Sequence, residues 1–276
     1  MHVGILTAPI KRTPLSEIIP WAAGIGVRAL EVDVTGASAF PLSADDALVA
    51  QTRELLAQHQ VRISSLACYV KLTGGSAEQD AQARAMVEQA IRLAARLEVG
   101  VVCTIGGFPV GNKSKEQTIT EDAPAAFRPL LDLAGAHGIK IALENWFATN
   151  MQHLDHWRAM FDAVPDAHFG LNFDPSHLDW PGIDPIGAVE EFRDRIFHVH
   201  AKDVLVDHAR LARVGSIGEG WWRYTLPGYG RIRWGEFITA LRDIGYNDVL
   251  SIEHEDRAFP AEEGFERAAR FLNTLV

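Results

Sequence analysis

Four residues each end a short apolar run with a group able to bind a metal ion or move a proton. Glu144 follows Lys-Ile-Ala-Leu, Asp174 follows Phe-Gly-Leu-Asn-Phe, His200 follows Ile-Phe-His-Val, and Glu253 follows Val-Leu-Ser-Ile. Burying a carboxylate at the end of an apolar strand is costly unless it is paired or coordinated. Singly, such a Glu would be a salt-bridge partner and such a His a hydrogen-bonded core residue. Four in succession point to one shared site. Three carboxylates and an imidazole form an oxygen-rich, moderately hard donor set, better suited to Mn²⁺, Mg²⁺ or Co²⁺ than to a thiolate-preferring metal, with Zn²⁺ or Fe²⁺ still open. One divalent ion chelating a carbonyl and its neighbouring hydroxyl would polarise the C=O and stabilise the enediolate formed when the α-proton leaves. Carboxylates on opposite sides of that carbon could remove and return the proton, giving epimerisation or isomerisation. Departure of a group from the next carbon would turn the same first half-reaction into a β-elimination. The donor set does not choose between them.

The elements that must position these groups alternate along the chain. Eight apolar or β-branched runs read as strands: 3–6, 29–34, 61–67, 100–105, 140–144, 168–173, 196–200 and 249–253. Between them lie helical stretches rich in Ala, Leu, Glu, Gln and Arg, such as 45–59, 77–97 and 123–137. Strand–helix alternation is the signature of βαβ units and a parallel sheet. Eight units in 276 residues leave about 35 residues per unit, which fits a closed (β/α)8 TIM barrel spanning 1–276 as a single α/β domain. An open doubly wound sheet would need a phosphate-type glycine loop after the first strand, and the segment TAPIKRTPLS is not one. Gly138 and Gly245 follow helical stretches and read as helix-terminating glycines. In such a barrel the C-terminal strand ends converge on one face, so Glu144, Asp174, His200 and Glu253 would meet there.

The segments ALEN (142–145), NFDPSHLDW (172–180), HVHAKD (198–203) and SIEHED (251–256) resemble the xylose-isomerase-like superfamily of sugar isomerases and epimerases. That group includes tagatose and psicose 3-epimerases, hydroxypyruvate isomerase, and inosose isomerase and dehydratase. The resemblance covers essentially the whole chain. It implies that Glu144, Asp174, His200 and Glu253 hold one divalent ion, Mn²⁺ foremost, and that Glu144 and Glu253 form the acid/base pair. It also implies that His177 contacts a substrate oxygen, and that Lys202 and Asp203 continue a His-x-Lys-Asp pattern at the substrate. Several epimerases of the family place an Arg a few residues beyond this His; here the next Arg is Arg210.

Further residues enter on position alone. His198 shares the pleat parity of His200 and so faces the barrel interior, as a candidate to contact substrate or to support the ligands from behind rather than to bind the ion. Trp146 and Trp180 could wall a sugar face or simply pack the mouth. About 30 residues, 202–233, separate the seventh strand from the next helix; they include GSIGEGWWRYTLPGYG and read as an ordered aromatic loop over the mouth. Arg223 in that loop is a candidate for substrate oxygens or a phosphate, or else a surface cation on the tryptophans. Gly106-Gly107 permits close backbone approach but is no dinucleotide fingerprint.

Lys and Arg total 26 against 36 Asp and Glu, a net charge of −10, which argues against nucleic acid as a partner. An abasic-site endonuclease would also need histidines on earlier strands, whereas strands two to four end in Asp33, Ala67 and Ile105. Cys68 and Cys103 fall within apolar runs and read as buried free thiols. No stretch approaches the ~20 apolar residues of a membrane span, and the N-terminus lacks a signal-like pattern. The expectation is a cytoplasmic enzyme acting on a sugar or polyol, with a homodimer or homotetramer expected by analogy alone.

Overall fold

The strand-forming runs become β1 (His2–Leu6), β2 (Ala29–Asp33), β3 (Arg62–Ala67), β4 (Val101–Ile105), β5 (Lys140–Glu144), β6 (Phe169–Phe173) and β7 (Ile196–Ala201). An inserted pair follows, β8 (Asp203–Val206) and β9 (Trp222–Thr225), and then β10 (Val249–Ile252). In this computed structural model, which describes residues Met1–Val276, eight strands close into a barrel in the order β1-β10-β7-β6-β5-β4-β3-β2. All eight pairings are parallel. This is the TIM barrel that the alternating pattern predicts.

The helices are α1 (Leu15–Gly24), α2 (Asp46–His59), α3 (Ala77–Leu97), α4 (Lys115–Glu121), α5 (Ala123–Ala136), α6 (Leu154–Ala163), α7 (Ser176–Asp179), α8 (Pro185–Glu191), α9 (His208–Val214), α10 (Trp234–Asp243) and α11 (Ala261–Leu272). Their starts are written locally. Asp45 accepts from Leu48 N at the head of α2, and Ser76 with Gln79, like Ser114 with Gln117, forms a reciprocal cap. Gly138 (φ 68°) and Gly245 (φ 82°) end α5 and α10 in the left-handed region, where glycine is unstrained.

Helices pack on the outside of the sheet through large side chains, for example Phe127 on Phe169 (ring centroids 4.9 Å apart) and Trp157 on Phe173 (5.8 Å). Each such burial stabilises by about 1.5–3 kcal/mol. One continuous core of 66 buried residues results, consistent with a single domain. Inside the barrel, beneath the mouth, the filling is polar: Glu31, Ser64, Ser65, Asn172, His198, His200 and Ser251 are all buried.

The segment 202–233 is more than an ordered loop. β8 and β9 form an antiparallel hairpin, pairing Asp203 with Thr225 and Val204 with Tyr224. At its tip α9 buries no residue, and Ile217 is 98% exposed. The base is tied down by Asp203, whose carboxylate accepts from the backbone N–H of Val204, Gly228, Gly230 and Ile232 and from Trp234 Nε1 at 2.8–3.2 Å. Gly230 is required there, because a Cβ would lie 2.2 Å from Asp203 Oδ1. The expectation that Asp203 meets substrate is therefore corrected. The hairpin begins at this residue, and its side chain serves the returning strand of the loop.

Candidate metal centre

Glu144 is the last residue of β5, Asp174 follows β6, His200 lies in β7 and Glu253 follows β10. Parallel strands with a common direction deliver all four to the same end of the barrel. One ligand atom from each lies within 4.8 Å of all the others. His200 Nδ1 is 3.0 Å from Glu253 Oε2, 3.6 Å from Glu144 Oε1 and 3.9 Å from Asp174 Oδ2. Asp174 Oδ2 and His200 Nδ1 are buried without a hydrogen-bond partner. Lys202 Nζ is within ion-pair range of Asp174 Oδ2 at 3.0 Å, but off the direction of a hydrogen bond. Buried polar atoms of this kind normally have partners.

The donor set fits a divalent ion. Glu144, Asp174 and Glu253 carry three negative charges, and Lys202, 2.6 Å from Glu253 Oε2, supplies one positive charge. With the imidazole in the neutral form that a ligand needs, these three carboxylates, His200 and Lys202 sum to two net negative charges, which a dication would balance. Burial opposes ionisation of Glu144, but the hydrogen bond from His177 and the charges of His200 and Lys202 outweigh it, holding its carboxyl well below the usual range. Burial likewise opposes the charge on Lys202, yet Asp174, Glu253 and Glu255 hold it as an ammonium.

The support beneath this cluster comes from residues that the sequence reading passed over. Glu31, fully buried in β2, accepts from His200 Nε2 (3.0 Å), Ser251 Oγ (2.8 Å) and Tyr69 Oη (2.5 Å). Burial pushes its carboxyl up, but the charges of His200 and His198 and the hydrogen bonds from His200 and Tyr69 prevail and bring it to about 2. Asn172 Nδ2 also approaches His200 Nε2 (2.9 Å), but it has the Tyr69 oxygen as its own acceptor. Burial opposes a charge on His200, but Glu31 first, with Glu253 and Glu144, holds it as an imidazolium. With Glu31 accepting from Nε2, Nδ1 is the nitrogen that would give up its proton and offer a lone pair to an ion among the three carboxylates.

His198 faces the interior, as its parity predicts, but lies below the mouth. Its Nδ1 bonds Asn172 Oδ1 (2.9 Å), and its Nε2 lies 3.1 and 3.3 Å from Ser64 and Ser65 Oγ. Both nitrogens are satisfied, so its expected contact with substrate is corrected to a buried hydrogen-bonding role. The same bonds leave it no lone pair for the deeper group Glu31–Cys103–His198, whose atoms also lie close together. Cys103 and Cys68 are buried free thiols, pushed up chiefly by burial.

Above the cluster is a cavity of about 390 Å³ lined by Glu144, Trp146, His177, Lys202, Tyr224 and Glu253, among others. His177 Nε2 is 3.3 Å from Glu144 Oε1, and its Nδ1 is 2.7 Å from Tyr224 Oη. Tyr224 reaches in from β9, so the hairpin completes the cavity wall. Trp180 and Trp222 stack in parallel with centroids 4.2 Å apart, and Phe147 meets both edge-on. Arg223 does not reach the cavity; its Nη1 is held 2.7 Å from Asp256 Oδ1.

With barrel, cluster and cavity in place, comparison with known proteins is informative. Residues 19–275 match the family model described as xylose isomerase-like TIM barrel. The chain belongs to that family. Over its whole length it is 27% identical to the uncharacterized protein YfiH of Bacillus subtilis (strain 168), covering 99% of that protein. It is 28% identical to an inosose dehydratase of Bacillus thuringiensis (strain Al Hakam) over 129 residues, 45% of this chain and 43% of that one. Among solved structures, the IOLI protein with a bound zinc atom superposes with a TM-score of 0.79 at 19% identity, covering 100% of this chain and 98% of that one. The donor set itself suggests a divalent metal. No helix is long and apolar enough to cross a membrane.

Proposed function

We propose that this protein is a divalent-metal-dependent isomerase or epimerase of a sugar, ketose or inosose, with Glu144 and Glu253 as the acid/base pair. The observation that carries this reading is the convergence of four ligand atoms within 4.8 Å, two of them buried and unpartnered. Glu144, Asp174, His200 and Glu253 would hold the ion, with Mn²⁺ the best match to three carboxylates and one imidazole. A bound ion there would polarise the substrate carbonyl and stabilise the charge left by the departing α-proton.

The chain's own residues supply the rest. Glu144 and Glu253 approach the cavity from different strands, one able to accept a proton from a carbon and the other able to return it. Trp146 offers an apolar wall to a sugar ring. Lys202 and His177, both at the cavity floor, present N–H donors to substrate oxygens. Tyr224 Oη bonds His177 Nδ1; in the tautomer where the hydroxyl donates, the Nε2 proton of His177 faces Glu144. Burial pushes Tyr224 well up, so it remains an O–H donor.

These same donors favour one second reading, a lyase or dehydratase acting on a keto-sugar, keto-glycoside or keto-inositol. A β-elimination needs an acid for the leaving oxygen, and His177, backed by Tyr224, is placed to be one. The similarity to an inosose dehydratase supports this alternative over part of the chain.

The deciding experiment is deuterium incorporation from D₂O into a panel of ketoses and keto-inositols, with Mn²⁺ and after chelation. Metal-dependent exchange α to the carbonyl is expected, with product mass separating isomerase from lyase. Glu144→Gln and Glu253→Gln should each slow exchange by about 10²–10⁴-fold. Wild-type exchange in both variants, or none with any substrate, would sink the reading.

A further inference from the structure

A groove of about 980 Å³ runs from the mouth of the metal cavity along β9 and the segment after Glu253, and Trp222, Tyr224 and Glu255 line both spaces. The cavity itself, at about 390 Å³, lies near the lower end of the ~300–1,000 Å³ usual for ligand sites. A ligand seated over the metal cluster therefore has an open path into a larger space lined by this chain.

The groove is built rather than incidental. Asp256 is buried, accepts from Thr225 Oγ1 (2.6 Å) and from Ala258 N (2.9 Å), and fixes Arg223 through Nη1 (2.7 Å). The remaining donors of the Arg223 guanidinium, Nε and Nη2, have no partner in the chain, and the side chain is 53% exposed. A guanidinium so held presents a pre-oriented fork of N–H groups. Arg257, exposed and without an ion-pair partner, provides a second set of donors. Glu255 stands at the junction, 3.3 Å from Lys202 Nζ, as an acceptor. Trp222 and Tyr224, with rings 5.1 Å apart, supply aromatic surface.

Two guanidiniums face two carboxylates, so the groove has no excess charge to draw a phosphate or a cation. Donor fork, acceptor and aromatic surface together suit a neutral polyhydroxylated ring, whose hydroxyls take the hydrogen bonds while its C–H face lies on the aromatics. The geometry points to a second sugar subsite in this groove, so that the substrate is a glycoside carrying one ring over the metal cluster and a second, neutral ring beside Arg223 and Arg257. The inference rests on the proposed reaction for the identity of the first ring only.

The test uses the full chain with Mn²⁺ and matched pairs of substrates, each a free keto-sugar and its glucoside. Deuterium exchange should show a higher kcat/KM for the glucoside. Arg223→Ala and Arg257→Ala should each reduce that preference by about tenfold, the scale of one or two lost hydrogen bonds, by acting on the glucoside. Arg257 bonds nothing within the chain, so its variant separates recognition from any loosening of the hairpin. In parallel, tryptophan fluorescence is titrated with an unreactive disaccharide. If neither substrate exchanges deuterium but the disaccharide binds in an Arg223- and Arg257-dependent way, the proposed reaction fails and the subsite stands. Equal kcat/KM within each pair, or disaccharide binding that is absent or indifferent to both substitutions, overturns the subsite.

Discussion

Glu31 Oε2 lies 3.0 Å from His200 Nε2, and it is the only carboxylate to approach that nitrogen; Glu144, Asp174 and Glu253 all face Nδ1. One buried carboxylate thus decides which nitrogen of the imidazole is presented to the other three. Glu31→Gln preserves volume but offers an amide that can donate to Nε2 and reverse the tautomer. We expect a loss of Mn²⁺ affinity of about 10–100-fold, with the fold retained. Equilibrium dialysis alongside far-UV circular dichroism checks this, and undiminished affinity would remove Glu31 from the role.

Tyr224→Phe keeps the ring over Lys202 (4.4 Å from Nζ to its centroid) and deletes only the hydroxyl that meets His177. Metal affinity should be unchanged. Loss of one hydrogen bond, worth about 1 kcal/mol, predicts a fall in kcat of about fivefold. Isotope-exchange kinetics and a metal titration on the same preparation separate the two effects; a parallel fall in metal affinity would mean that Tyr224 braces the cluster itself.

Asp203→Ala strands donors from four backbone amides and one indole. The expected cost is about 3 kcal/mol or more, since each unpaired buried donor is penalised separately. Urea denaturation measures it. Limited proteolysis should show new cleavage between residues 222 and 233, and an unaltered digestion pattern would contradict the anchoring role.

His156 and His198 are each pulled down to about 4, chiefly by burial. Unfolded, both would titrate near 6.5. Between those values the unfolded chain binds protons that the folded chain refuses, so stability is full above pH 6.5 and falls as pH drops toward 4. His156→Gln should therefore lose less Tm between pH 7 and pH 5 than the parent protein does. Differential scanning calorimetry at the two pH values decides, and identical slopes would show that His156 is not sensed.

The barrel was legible because strand and helix periodicity repeat eight times and glycines such as Gly138 and Gly245 mark where helices end. The cluster was legible for a related reason: parallel strands bring their C-terminal residues together, so Glu144, Asp174, His200 and Glu253 could be placed without any contact being known. Glu31 was missed because only the final residue of each early strand was weighed. It stands two positions before Asp33, a charged side chain between Leu30 and Val32, and that contrast was a usable signal. Tyr224 had no such signal. It reaches His177 across 47 positions by way of a hairpin whose register depends on Asp203. Asp203 itself was misread because the sequence does not show where the strand direction turns away from the mouth.

The polar column inside the barrel, from Ser64 and Ser65 through His198, Asn172 and His200 to Glu31 and Ser251, stands where other side chains could have packed as hydrocarbon. Replacing buried hydrogen-bonded charges with well-packed apolar groups is often neutral or stabilising. A version of this chain with Leu, Val and Met along that column could therefore be more heat-resistant and catalytically inert. Durability and reactivity compete for the same few positions here, and selection for toughness alone would be expected to erode the column first.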